Sequence, residues 1–109
     1  MLMSLDYFQH KVLTIVYRNK HIYNLTEEDL DKAKKCVAKF DSVKYPCAPS
    51  SIAATIIYHL VKSKDASIKI EPFRLKFVTN IIVFKRNVQK KVTRFTITKW
   101  KDIIKELME

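Results

Sequence analysis

The chain contains no glycine, and its 109 residues include only three prolines and two cysteines. Without glycine there is no phosphate-cradling Gly-rich loop, so the nucleotide-binding motifs built on one are excluded. Hairpin turns and left-handed helix caps lose their usual residue for the same reason. Cys36 and Cys47 form no CxxC pair and have no clustered histidines beside them. Neither a zinc knuckle nor a disulfide framework is supported, and reduced thiols in an intracellular protein are expected. No apolar run approaches the length of a membrane span, and the opening Met-Leu-Met-Ser-Leu-Asp-Tyr lacks the charged and apolar regions of a signal peptide. The expectation is a soluble protein without a membrane partner.

A third shortage is local. Between Pro72 and Lys101 there is no acidic side chain, while Arg74, Lys76, Lys85, Arg86, Lys90, Lys91, Arg94, Lys99 and Lys101 carry nearly all of the formal net charge of +10. Phe73, Phe77, Phe84, Phe95 and Trp100 are interleaved with these cations. A cationic field of this kind on a foldable segment attracts polyanions. A solvated helix face is the plainer alternative.

The chain holds 48% hydrophobic residues, enough at this length for one core and too little for two, so residues 1–109 read as a single domain. Leu5, Phe8, Val12, Ile15 and Val16 fall at helical spacing and predict a first helix to about Ile22. A second helix starts where Thr26 and Asp29 form a capping box and Leu25 can staple to Leu30, with Glu27 and Glu28 at the positive end of the dipole. Its stripe Leu30, Ala33, Val37, Phe40 faces a core, and it fades near Val43. Pro49 suits the first position of a third helix, with Ser50 and Ser51 able to serve its first turn. That helix is apolar nearly all round, so it belongs inside a bundle. Its one polar stripe is Ser51, Thr55, His59 and Lys62, which makes His59 an edge residue.

Beyond a polar connector at Lys62–Ser67, the residues Ile70, Phe73, Phe77, Ile81, Phe84 and Val88 repeat at three and four. This spacing predicts a fourth helix, although the β-branched content also suits a strand. Ile97, Trp100, Ile104 and Leu107 give one face of a last helix, capped by Thr93 or Thr96. The expected fold class is all-α, five helices around a buried third one.

The order of elements, with Pro-Ser-Ser-Ile-Ala-Ala-Thr-Ile-Ile-Tyr (49 to 58) opening the third helix, resembles the cyclin box of cyclins and of the transcription factor IIB core repeats. Val92-Thr93-Arg94-Phe95-Thr96-Ile97-Thr98-Lys99-Trp100 and the ending Lys105-Glu106-Leu107 are similar to the turn and last helix of such a repeat. The resemblance spans roughly residues 5 to 107. It implies a five-helix, cyclin-like, non-catalytic module bridging duplex DNA and the transcription machinery, an RNA polymerase or a basal factor. Carried over, Thr96, Thr98, Lys99 and Lys101 at the start of the last helix would approach base edges or phosphates, with Arg94 on the turn. Lys85, Arg86, Lys90 and Lys91 would add phosphate contacts.

The family's glycine turn before the last helix, its zinc ribbon and its second repeat have no counterpart here. The resemblance implies localisation at the site of transcription, the nucleus or, for a virus, the cytoplasm; the richness in Ile, Lys and Asn suits the AT-rich coding of a virus or parasite. The same motif also serves a cyclin-like regulator of a kinase or another protein, without DNA binding. No cofactor is implied. An enzyme is the least supported class, because the carboxylates Glu27, Glu28, Asp29 and Asp31 are explained by helix capping and no nucleophile and base can be assembled.

Overall fold

The computed structural model describes residues 3–65, 73–78, 87–92 and 94–109, with side chains at 7–65 and 95–109. Among the described residues there are four helices, α1 (Met3–Arg18), α2 (Glu27–Lys39), α3 (Pro49–Lys64) and α4 (Arg94–Met108), and one two-stranded ribbon, β1 (Phe73–Val78) and β2 (Asn87–Val92).

The helical bundle expected from the sequence is present, with α3 at its centre. Ile52, Ala53, Ala54, Ile56, Ile57 and Leu60 are all buried, and α3 packs against α1, α4 and both strands. Around it stand Val12 and Val16 of α1, Leu30, Ala33 and Val37 of α2, and Ile97, Trp100 and Ile104 of α4. Thr55 differs from the expectation of a polar edge. It is fully buried, and its hydroxyl donates to the Ser51 carbonyl at 2.7 Å, so the group is satisfied within its own helix.

The helix predicted between Ile70 and Val88 is corrected. Its described residues form an antiparallel pairing that sets Phe73 opposite Val92, Leu75 opposite Lys90 and Phe77 opposite Val88. The physical reason lies in Phe73-Arg74-Leu75-Lys76-Phe77, which alternates apolar and cationic at period two. A spacing of four fits a strand as well as a helix, and aromatic and β-branched residues favour the pleated surface. Of the six residues that carried the helical prediction, Ile70, Ile81 and Phe84 lie outside the described residues.

Two helix ends also differ. α1 stops at Arg18 rather than near Ile22, because the chain tightens through Asn19 N–H to the Val16 carbonyl (3.1 Å) and the buried Asn19 side-chain amide donates to the Ile15 carbonyl (2.8 Å). α2 ends at Lys39 rather than Val43, because Asp41 accepts from the backbone of Val43 and Lys44 at 3.1 and 3.0 Å and turns the chain. Pro49 does occupy the first turn of α3, but Ala48 is the N-cap and no side chain caps it.

The predicted capping box of α2 forms in full. Thr26 N–H donates to Asp29 Oδ2 at 2.9 Å, and Asp29 N–H donates to Thr26 Oγ1 at 3.2 Å. Asp29 also accepts from Lys64 at the end of α3, which locks two helix termini together. Burial alone would raise the Asp29 pKa, but the hydrogen bond from Lys64, the Thr26 amide and the Lys64 charge outweigh it and hold the carboxyl below its ordinary value. A depressed folded-state pKa stabilises fully above the unfolded value and is lost as pH falls through the folded value. Thermal melts from pH 5 down to 2.5 are therefore expected to show wild-type stability falling below about pH 4. Asp29→Asn should give a flatter profile that converges with wild type in acid, and parallel profiles would exclude the lock.

Candidate nucleic-acid interface

Trp100 anchors the start of α4. Its ring meets Phe40 edge-on at 6.2 Å and Tyr45 edge-on at 6.1 Å, while Phe8 stacks on Phe40 at 5.8 Å. Four rings from α1, the C-cap of α2, the α2–α3 loop and α4 thus lock together, each pair adding about 0.5–1.5 kcal/mol beyond burial. The amphipathic pattern of α4 buries Ile97, Trp100 and Ile104. The opposite face carries Phe95, Thr98, Lys99, Asp102 and Glu106, all exposed.

The expected site residues divide. Arg94 opens α4. Thr98 and Lys99 are exposed, whereas Thr96 is half-buried with partners inside the fold. Lys99 and Lys101 lie about 200° apart on the helix, so they serve opposite flanks. Lys99 Nζ sits 5.1 Å over the Trp100 ring, on the side of the α2–α3 loop. Lys101 is half-buried and lines a cleft against α3. Lys90 and Lys91 stand on β2, opposite Leu75 and Arg74, one residue's link away from α4. Lys85 and Arg86 lie outside the described residues.

The termini of α2 and α4 contrast. The first turn of α2 contains Glu27, Glu28 and Asp29, its own counter-charges to the helix dipole. The first turn of α4 contains no acid and begins with a cation. A cation at the positive end of a helix costs about 0.3–1 kcal/mol, a penalty that an incoming anion relieves.

One cation escaped the sequence argument. Lys44 Nζ lies 5.3 Å over Tyr45, whose ring abuts Trp100, the ring that Lys99 covers from its other neighbour. The aromatic pair therefore ties Lys44 and Lys99 into one cationic ridge. No charge run marks Lys44, because only the folded loop brings it to α4. Of the two aromatics in the basic segment whose side chains are described, Phe95 is 79% exposed at the same helix start and Trp100 belongs to the core.

The thiols take no part. Burial pushes Cys36 up to about 12 despite the nearby Lys39, and burial likewise raises Cys47 against the pull of Lys99. Both are free cysteines held in the unreactive form at neutral pH. Among the described residues no helix is long and apolar enough to cross a membrane. No protein-family model matches the chain, and no curated protein and no solved structure matches it.

Proposed function

We propose that this chain is a non-catalytic module of transcription that binds duplex DNA through the start of α4 and engages a polymerase subunit or basal factor through its remaining helix surfaces. The observation that carries the proposal is the α4 N-terminus: a rigidly anchored helix start without acids, presenting Thr98 and Lys99 outward and flanked by Lys44. The amides of a helix start and ammonium groups suit phosphates, and a threonine suits base edges or thymine methyls. On this reading α1, α2, α3 and α4 would answer to the first, second, third and fifth helices of a factor IIB repeat, and the β1–β2 ribbon between α3 and α4 departs from that pattern.

Salt titration tests the proposal. If about four to six cations meet phosphates, the logarithm of duplex affinity should fall against log salt with a slope of roughly −4 to −5. A flat response, or no binding at low salt, would sink the DNA assignment and leave the protein-only, cyclin-like role.

A further inference from the structure

The outward side of α1 differs from the solvent faces of the other helices. From Tyr7 to Thr26 the sequence has no acidic residue. At about 100° per residue, Tyr7, His10, Lys11, Thr14, Tyr17 and Arg18 share an arc of about 120° on α1, opposite the buried Val12, Val16 and Asn19. Tyr7, His10, Tyr17 and Arg18 are exposed, and Lys11 and Thr14 are half-buried. The exposed side of α2 instead mixes Glu27, Glu28 and Asp31 with lysines and has no aromatic residue, and that of α4 carries Asp102 and Glu106.

Exposed large hydrophobic side chains also gather here. Tyr7, Tyr17 and Ile22 belong to α1 and the turn after it, against Val43 and Phe95 among the other described residues. The face is already partly organised: Lys11 Nζ lies 5.6 Å over the Tyr7 ring, a contact that leaves the ammonium charge in place, and the Thr14 hydroxyl donates to the His10 carbonyl at 2.8 Å. Among the described residues Lys11 and Arg18 form no ion pair, and neither the Tyr7 nor the Tyr17 hydroxyl has a hydrogen-bond partner.

Tyrosine and arginine are the residues that protein interfaces enrich, while lysine and glutamate, which dominate the solvent face of α2, are depleted there. A cationic face without acids matches a partner that brings carboxylates. A second copy of this chain is a poor match, because each copy carries a net charge of +10. A nucleic acid fits less well too: Lys11 and Arg18, the two formal cations of the arc, stand about 10 Å apart along the axis, and the aliphatic Ile22 offers a base no stacking surface.

We infer that the outward face of α1 docks an acidic, aromatic-bearing segment of a partner protein, its carboxylates meeting Lys11 and Arg18 and its rings covering Tyr7 and Tyr17. The two tyrosines lie about 15 Å apart along the helix, so one short segment spans the face. Arg18 can take a carboxylate through two parallel hydrogen bonds. The inference rests on the reading that helix surfaces other than the start of α4 engage a protein, and it is independent of DNA contact.

The test uses a labelled glutamate–tyrosine copolymer as the probe, with polyglutamate of equal length beside it, and follows binding to the whole chain by fluorescence anisotropy. Wild type is expected to bind the copolymer more tightly than polyglutamate. Tyr7→Gln/Tyr17→Gln should weaken copolymer binding about fivefold or more and erase that preference, and Lys11→Gln/Arg18→Gln should weaken binding of both polymers. Phe95→Gln, an exposed ring lost elsewhere, and Lys34→Gln/Lys39→Gln, an equal charge loss on α2, should stay within about twofold of wild type. Equal wild-type affinity for the two polymers, or equal weakening by the control variants, overturns the docking face and shows only diffuse charge.

A duplex arm keeps the two proposals apart. Tyr7→Gln/Tyr17→Gln should leave duplex affinity unchanged, and a loss there as large as the loss for the copolymer overturns the protein assignment and makes α1 a nucleic-acid surface. Copolymer binding that depends on α1 in a chain that fails to bind duplex upholds the docking face while the DNA proposal falls.

Discussion

Ile56→Asp should abolish the cooperative thermal transition. Ile56 is fully buried near the middle of α3, the helix that touches α1, α4 and both strands. An ionised carboxylate there has no partner, and its desolvation costs several kcal/mol even after relaxation. A domain of this size has about 5–15 kcal/mol of total stability, so one unpaired charge at the centre consumes most or all of it. Ile56→Ala is the graded control. It removes methyl groups without inserting charge, should cost about 2–5 kcal/mol, and should lower the midpoint by roughly 10–25 °C while keeping a single transition. The two variants together separate charge burial from cavity formation. If Ile56→Asp melted cooperatively near the wild-type temperature, α3 would not be the core helix and the bundle described above would be wrong.

That α3 is central could be read directly from residues 49–61, because a helix that is apolar nearly all round, with one narrow polar stripe, belongs inside a bundle. The α2 start was equally legible, since a capping box is a local device: Thr26 and Asp29 need only each other and three residues of helix. Trp100 declared itself core through its spacing with Ile97 and Ile104, and it is buried.

What failed to show was decided at longer range or by competing periods. Phe73 and Phe77 are four apart, which is both a helical step and two strand steps. The intervening cations at 74 and 76 tip the choice to a strand only when the partner strand at 87–92 is available. The lack of glycine argued against hairpins, yet pairing of the ribbon is specified by its strands. The end of α1 was set by the Asn19 side chain reaching back to the Ile15 carbonyl, a local competition that apolar spacing does not report.

Site geometry was the least legible level. The run from Arg94 to Lys101 looked like one cationic cluster in sequence, but on α4 its two lysines part company. Lys99 joins Lys44 through the Tyr45–Trp100 pair, and Lys101 joins Lys62 and Lys105 across the α3–α4 groove. Both groupings are tertiary, formed from elements 39 to 55 residues apart in the chain (Lys62 to Lys101; Lys44 to Lys99). Charge density along a sequence locates the field and leaves its division among surfaces to the packing of the helices.

This division shapes the second large effect. Lys99→Glu/Lys101→Glu should abolish duplex binding at moderate salt, since whichever flank of α4 faces the duplex then sets an anion in place of a cation beside the phosphates. The neutral pair Lys99→Gln/Lys101→Gln should instead bind weakly, with a salt slope shallower by about one, because only the lysine on the flank that faces the duplex meets a phosphate. Folding should survive both. Lys99 is exposed and Lys101 half-buried, and surface changes of this kind stay within about 0.5 kcal/mol. The Lys99–Trp100 contact adds about 0.5–1 kcal/mol to that loss, still far below the stability of the domain.

The single variants discriminate further. Because Lys99 and Lys101 face opposite flanks, Lys99→Glu alone should remove most of the duplex affinity if the Lys44–Lys99 ridge is the DNA surface, and Lys44→Glu should reproduce it. If Lys101→Glu were instead the damaging change and Lys99→Glu harmless, the duplex would lie along the α3–α4 groove. Unchanged affinity in the double reversal would remove α4 as the reader altogether. A reader that touches phosphates through lysines alone would lose affinity uniformly across sequences, so a sequence-dependent loss in Thr98→Ala is what would mark the helix start as reading bases.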